Sequence, residues 1–405
     1  MENNINGIYL DNACTSHPKP QCVCDAVYEY MTNFGSNINR GCYDRAYSVE
    51  EMVLVTRELL CKMFNGPDAR NVIFTRGITE SLNIVIKGFL KDGDHVIVSP
   101  YEHNAVMRPL NGLIRSGCSI SFDRIPVLND GNLNMSEIYK LKRDNTKAVI
   151  INHASNVSGQ VFQLEEIGNI CNELGLKLIV DSAQTAGSID IDMKKMHIDA
   201  LTFAGHKGLM ATQGIGGMIM TDEMAGLTTP FIEGGTGSIS DKEITPEYMP
   251  DKFEAGTLNL PGIAGLNAAL KWLNEVGTGA IHHKELLLRN RFLEGISELE
   301  KQGKICIARI QNGRNSQNEL NEPNGYAEYT GTVSIRCLLK DNSSVATALD
   351  DAYGIMTRVG LHCSPAAHRT LGTYPEGTIR FSFGYFNTYE EVDRAVCALM
   401  EILGM

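Results

Sequence analysis

Lys207 and Asp181 are the two side chains whose types and settings point most directly to chemistry. Lys207 follows His206 on a turn after the short apolar run Ala200-Leu201-Thr202-Phe203-Ala204-Gly205, and glycines follow at Gly208, Gly214, Gly216 and Gly217. A lysine held at a strand end, where glycine lets backbone approach closely, can form a Schiff base with a carbonyl compound. Standing alone, a His-Lys pair reads as an ordinary solvated surface pair. The stretch Leu178-Ile179-Val180-Asp181-Ser182-Ala183-Gln184 changes that reading. It has the unbroken apolar run of a buried parallel strand and ends in an aspartate. Ligands of open α/β sheets sit at that end of the strands. An anion for a pyridinium nitrogen and an amine for an aldehyde are what pyridoxal 5'-phosphate (PLP) requires.

Four further places carry chemistry. Asn71-Val72-Ile73-Phe74-Thr75 reads as a strand that runs through Gly77 and Thr79 into a helix, and a helix N-terminus offers free N–H groups and a favourable dipole to a phosphate. Without Lys207 in the chain, Thr79 would read as a simple helix cap. His103 follows the strand His95 to Ser99, where an imidazole can lie flat on a cofactor ring. Arg380, in Gly377-Thr378-Ile379-Arg380, has the forked guanidinium that grips a carboxylate, though a surface salt bridge fits the same residues. Cys363 lies in Arg358-Val359-Gly360-Leu361-His362-Cys363-Ser364-Pro365. Glycine and proline make that stretch a turn, and an exposed cysteine beside a histidine can be a thiolate nucleophile.

The elements that must position these groups follow from periodicity. Pro20 to Phe34 and Ser48 to Phe64 read as helices, the second with an apolar face of Val49, Met52, Val53, Val55, Leu59, Leu60 and Met63. The stretch Asn37 to Gly41 breaks them. Strands at Asn71 to Thr75, His95 to Ser99, Ala148 to His153 and Leu178 to Asp181 alternate with helices at Arg76 to Phe89 and Leu164 to Leu174. Alternation from about residue 70 to 220 predicts an α/β fold with a mostly parallel sheet and helices on both faces. Thr228 to Asn259 is irregular and glycine-rich, and helices follow at Ile263 to Val276 and Ile281 to Gln302. Strand-like runs at Lys304 to Ile310 and Gly331 to Leu338 flank a polar loop, Gln311 to Asn324, and Tyr389 to Leu403 closes the chain as a helix. That last third reads as a smaller α+β domain. The expected division is an arm over 1–20 packing with the small domain, a large domain over 21–280 and a small C-terminal domain over 281–405.

Composition narrows the function classes. The 405 residues are 43% hydrophobic and 21% charged, as in a water-soluble globular protein. With 36 Lys and Arg against 48 Asp and Glu, the formal net charge of −12 disfavours nucleic acid and anionic membrane as partners. No run approaches the roughly 20 apolar residues of a membrane span. The start Met1-Glu2-Asn3-Asn4 lacks a basic and an apolar segment, so no signal peptide is expected. The eleven cysteines are scattered, as in a reducing compartment, and the expected location is cytoplasmic. Cys22 and Cys24 point to different faces of a helix, and no metal site is expected.

The motifs from Leu10-Asp11-Asn12-Ala13 to Arg380-Phe381-Ser382-Phe383-Gly384-Tyr385-Phe386-Asn387-Thr388 resemble the class V aminotransferase group of PLP enzymes, and within it a cysteine desulfurase or selenocysteine lyase. The resemblance implies PLP fold type I and a homodimer. It makes Lys207 the cofactor lysine and proton carrier, Asp181 the partner of the pyridinium nitrogen, and Gln184 the partner of the phenolic oxygen, with Asn156 near the same edge. His103 would stack on the pyridine. Gly77, Thr79 and His206 would hold the phosphate, with Thr257, in Phe253-Glu254-Ala255-Gly256-Thr257-Leu258-Asn259, reaching it from the partner subunit. Arg380, Asn156, Arg358 and His362 would bind substrate. Cys363 would take sulfur from L-cysteine as a persulfide and leave L-alanine, and selenocysteine would be cleaved by the same site. A sulfur-acceptor protein is a further partner that the resemblance allows. Another PLP reaction on this scaffold (β-lyase, epimerase or aminotransferase) and a non-catalytic sulfur-transfer scaffold fit the same motifs, and the products separate them. Two residues depart from the family pattern. Ala204 stands where a hydroxyl residue is common, which removes a phosphate hydrogen bond of about 0.5–3 kcal/mol. Cys14 stands where alanine is usual, and alone it reads as a buried small hydrophobe.

Overall fold

Short strand runs and amphipathic stretches alternate through the first two thirds of the chain. The computed structural model describes residues 7–39, 41–239, 241–310 and 328–404. The polar loop expected over Gln311 to Asn324, the reading of Met1 to Asn4, and Arg40 within the break after the first helix lie outside the described residues. β1 (Ile8–Tyr9) is followed by α1 (Gln21–Glu29) and α2 (Asp44–Met63). The helix expected over Pro20 to Phe34 is α1 continued by a π turn over Tyr30–Phe34 and stopped by Gly35 at φ +56°. Then come β2 (Val72–Thr75), α3 (Ile78–Phe89), β3 (His95–Val98), α4 (Asn104–Arg115), β4 (Ser121–Arg124), α5 (Glu137–Leu141), β5 (Thr146–Asn152), α6 (Leu164–Leu174), β6 (Lys177–Asp181), β7 (Ala200–Ala204), β8 (Gly216–Met220) and α7 (Asp222–Leu227).

The strands form a seven-stranded sheet in the order β2-β8-β7-β6-β5-β3-β4. Pairs from β7 through β6, β5 and β3 to β4 are parallel, while β8 runs antiparallel to both β7 and β2. β5 and β6 are central, which is why Ala148 to Ile151 and Leu178 to Val180 are apolar without alternation and fully buried. One face packs on α3 and α4 through Leu82, Val85, Val106 and Leu110. The other packs on α2, α6 and α8 (Leu260–Val276) through Leu60, Ile167 and Leu266. A Cβ on Gly216 would lie 2.7 Å from Gly77 Cα, so β8 can run this close to the turn before α3 only as glycine.

The remainder is α9 (Thr278–Lys301), β9 (Ile305–Ile307), β10 (Thr332–Cys337), α10 (Asn342–Tyr353), β11 (Ile355–Met356), β12 (Arg358–Gly360), α11 (Pro365–Thr370), β13 (Thr378–Ser382) and α12 (Tyr389–Ile402). β12, β13, β10 and β9 make an antiparallel sheet in that order. It shares a core with α9 and α12 through Phe292, Ile335, Phe381 and Leu399. β1 pairs in parallel with β11, and Ile8 and Leu10 are buried in that same core.

Candidate active site

The parallel strands β5 and β6 end side by side at Asn152 and Asp181. β7 ends at Ala204, and the turn after it carries His206 and Lys207. A cavity of about 340 Å³ opens at these ends, lined by Ile78, His103, Asn156, Asp181, Gln184 and Lys207 among others. Five residues singled out in the sequence therefore meet here.

The Lys207 turn is held from two sides. His206 O accepts from Ser16 N–H at 3.0 Å, Thr15 Oγ1 at 3.1 Å and Lys19 Nζ at 2.8 Å, and Lys207 O accepts from Ser16 Oγ at 2.8 Å. On the other side a Cβ on Gly208 would lie 2.5 Å from Ala186 O, so this approach requires glycine. Burial pushes the Lys207 amine down to about 8; Asp181 pulls it up and Arg380 pushes it down. Asp181 accepts from Ala183 N–H at 2.9 Å through Oδ1, and burial raises its carboxyl against the pull of Lys207.

His103 caps α4, with Nδ1 accepting from Ala105 N–H at 3.0 Å. Burial, then the charges of Lys207, Arg108, Arg380 and Arg358, push it down to about 4, so it is a neutral ring with the proton on Nε2. Gln184 Nε2 donates to Ala13 O at 3.1 Å, which ties the arm to the cavity. His206 is pushed down to about 4 by burial and by Lys207, and its Nδ1 is buried without a partner. Gly77 and Thr79 lie at the N-terminus of α3, where Thr79 is exposed. Thr257 is exposed and does not line this cavity.

Asn156 connects the cavity to the cysteine turn. Its Nδ2 donates to His362 O at 2.8 Å, its Oδ1 accepts from Ser364 Oγ at 2.7 Å, and its O accepts from Arg380 Nη1 at 3.1 Å. Arg380 is buried, and its Nη2 is paired with Asp11 Oδ1 at 2.8 Å. Burial lowers its pKa and Asp11 opposes that. Arg358 Nη1 donates to Cys14 Sγ at 2.7 Å and lies 4.0 Å from Asp11 Oδ2. Cys363 is exposed. His362 and Cys363 take φ of +47° and +58°, a conformation costly for side chains with a Cβ. His362 is buried, with Nε2 on Thr378 Oγ1 at 3.0 Å, and burial pushes it down to about 2. Its ring thus serves the inside of the turn. The sequence reading passed over Asp11 and Asn152; the signal for Asp11 was its place two residues after β1, in the same motif as Asn12.

This architecture recurs in known proteins. The family model Aminotransferase class-V matches residues 8–395. A probable cysteine desulfurase of Pyrococcus abyssi is 32% identical, covering 98% of this chain and 94% of its own. The apo structure of a cysteine desulfurase from Thermococcus onnurineus NA1 is 31% identical with a TM-score of 0.86, covering 98% of this chain and 95% of that one. The cysteine desulfurase CsdA of Escherichia coli is 27% identical with a TM-score of 0.83, covering 98% and 94%. On a family match spanning nearly all of its length, the chain belongs to the class V aminotransferase family of PLP-dependent enzymes.

Proposed function

We propose that this chain is a cysteine desulfurase that converts L-cysteine to L-alanine and keeps the sulfur as a persulfide on Cys363. The observation that carries the proposal is Asn156, which lines the cavity with Lys207 and Asp181 and grips the turn on both sides of Cys363. Relatives named cysteine desulfurase over the whole chain support it. Selenocysteine, with the same shape and a better leaving atom, fits the same reading.

The residues suit PLP. Asp181 has one oxygen on Ala183 and the other left for a pyridinium N–H. His206 Nδ1 is a buried polar atom without a partner, and the α3 N-terminus with Gly77 and Thr79 offers N–H groups to a phosphate. His103 would be the neutral platform for the ring, and Gln184, which lines the same cavity, would hold its edge. When bound, PLP supplies the electron sink for a carbanion at the substrate Cα. Lys207, with an amine near 8, holds the cofactor and carries the Cα proton. Arg380 takes the substrate carboxylate, with Arg358 beside it and Asp11 setting its orientation. Cys363, as its thiolate, attacks the substrate sulfur. The S–S bond forms, the Cβ–S bond breaks, and Cβ keeps the pair and takes a proton. His362 keeps the turn in place.

The enzyme works as a homodimer in this proposal. Tyr28 on α1, Met31 on the π turn after it, and Tyr47 and Leu54 on α2 are exposed apolar side chains that a second copy would cover. The partner subunit's Thr257 then completes the phosphate site. No helix among the described residues is long and apolar enough to cross a membrane. A thiol nucleophile works in a reducing compartment, and the cytoplasm is the location proposed. The arm, large-domain and small-domain division at 1–20, 21–280 and 281–405 is proposed on the same footing. Borohydride reduction of the holoenzyme should fix a pyridoxyl group on Lys207, and product analysis should give alanine from cysteine. Label on another lysine, or pyruvate and ammonia in place of alanine, overturns the reading.

A further inference from the structure

Cys363 is exposed, and the surface around its turn carries arginines that no acid answers. Asn104, the first residue of α4, donates its N–H to Cys363 O at 2.8 Å, and Arg108 lies exposed one turn further along the same helix face. α11 opens at Pro365, just past the cysteine turn, and carries Arg369, also exposed. Thr370 Oγ1 donates to Pro100 O at 3.0 Å, which docks α11 on the end of β3. β4 pairs with β3 so that Arg124 stands opposite Val98, and Arg124 therefore ends its strand beside that contact. The guanidinium of Arg124 lies over the Phe122 ring at 5.1 Å, and that of Arg369 over the Tyr374 ring at 4.5 Å. Asp123, next to Arg124, is taken by Arg143. Among the described residues Arg108, Arg124 and Arg369 form no ion pair. Arg124 and Arg369 are close enough for the charge of Arg369, after burial, to push the Arg124 guanidinium down. Two like charges are thus held together unpaired, on a chain of net charge −12, and an anion placed between them would relieve the repulsion.

We propose that Arg124 and Arg369, with Arg108 beside the cysteine turn, form the docking surface for the acidic face of a protein that takes the sulfur from Cys363. This rests on the desulfurase reading. The acceptor supplies a thiolate, which attacks the terminal sulfur of the Cys363 persulfide. A new S–S bond forms on the acceptor, the old one breaks, and Cys363 leaves as a thiolate. The exchange is neutral in electrons, so neither oxidant nor reductant is consumed. Stacking on Phe122 and Tyr374 holds the guanidinium planes in place, and their forked N–H donors match carboxylates. Complementary charge speeds the encounter and orients the acceptor thiol toward the turn. The acidic remainder of the surface repels the same partner, which confines docking to this end of the sheet.

The probes are two synthetic peptides, each with a single cysteine, flanked by glutamates in one and by lysines in the other. Holoenzyme loaded with L-cysteine is freed of excess substrate and mixed with each, and persulfide on the peptide is followed by mass. At low salt the glutamate peptide should be loaded about tenfold faster, a preference lost at about 0.5 M salt. Lysines favour the thiolate, so intrinsic reactivity works against this result. Arg124→Glu combined with Arg369→Glu should reverse the preference, and the milder pair Arg124→Gln with Arg369→Gln should abolish it. Alanine formation with a small thiol reductant should stay at the parent rate in both pairs. Equal loading of the two peptides, or a preference that both variant pairs keep, overturns the proposal. Failure of the desulfurase reading looks different: no persulfide reaches either peptide. Docking is then read by fluorescence anisotropy of the glutamate peptide with serine in place of its cysteine. That peptide should bind the parent more tightly than Arg124→Glu with Arg369→Glu, and equal binding overturns the proposal.

Discussion

Asn156 holds the turn on both sides of Cys363, donating to the backbone carbonyl of His362 at 2.8 Å and accepting from the Ser364 hydroxyl at 2.7 Å. The turn needs that hold, because His362 and Cys363 both adopt positive φ, a strain of order 1–3 kcal/mol each. Asn156→Ala removes both bonds, worth about 1–3 kcal/mol together. Alanine formation should fall about ten- to a hundredfold while the cofactor absorption band is retained. A parent-like rate would show that the turn positions Cys363 unaided.

Lys207 gives a pH dependence. Its amine titrates near 8, below the free-lysine value of 10.5, because burial disfavours the ammonium form. Apoenzyme should therefore take up PLP faster as pH rises through about 8 and level off above it. For stability the sign is that of a depressed base. Between about 8 and 10.5 the unfolded chain binds a proton that the folded chain does not, so this group favours folding more as pH rises through that window. Stopped-flow absorbance of PLP uptake against pH reads the first effect, and acceleration continuing toward 10.5 would contradict it.

Glu285 lies on α9 in a second cavity, of about 420 Å³, which also touches Lys207. Burial alone pushes its carboxyl up to about 8. This is a raised acid, so its contribution to stability is present in full below the unfolded value near 4.5 and is lost as pH rises through about 8. Glu285→Gln should match the parent near pH 4.5 and exceed it by about 4 kcal/mol at pH 8. Thermal unfolding at the two pH values measures the difference, and a variant less stable at pH 8 would mean that the carboxylate has a cationic partner.

Arg57 is a charge inside the apolar face of α2. It pairs with Glu254 at 2.6 Å, both side chains being less than a tenth exposed, and stacks over Phe74 at 4.5 Å. Arg57→Ala leaves Glu254 buried and unpaired, a cost of about 3–5 kcal/mol. The midpoint of denaturant unfolding should drop accordingly, and a loss under about 1 kcal/mol would mean that water reaches Glu254.

That residue also marks where the sequence could be read and where it could not. β5 and β6 were legible because strands buried on both faces are apolar without a gap, and Asp181 was legible because a charge ends such a run. α6 was legible to the residue, with Glu165 and Glu166 in its first turn and Gly175 closing it at φ +65°. α2 begins at Asp44 rather than Ser48, since its first turn is too polar to register as periodic. Of the apolar face read from the sequence, Val49, Val53 and Leu60 are buried while Met52, Val55, Leu59 and Met63 are only partly covered, and the helix also buries Thr56 and Arg57. α4 was passed over although Val106, Leu110 and Leu113 recur at helical spacing; Pro109 and Gly112 lie inside it, and its cap is the His103 side chain. Cys363, Arg358 and Arg380 were visible one by one. The links among them through Asn156, Asp11 and Cys14 span up to 369 residues of sequence and appear only once the chain is folded.

Replacing Cys363 with alanine tests the central claim most directly. Holoenzyme and variant are given L-cysteine with reductant at matched PLP content, and alanine is measured against time. Alanine formation should fall about a hundredfold or more in Cys363→Ala, the loss expected when a covalent nucleophile is removed. PLP content should be unchanged, because Lys207 and Asp181 are untouched. Alanine produced by the variant at the parent rate would contradict the account.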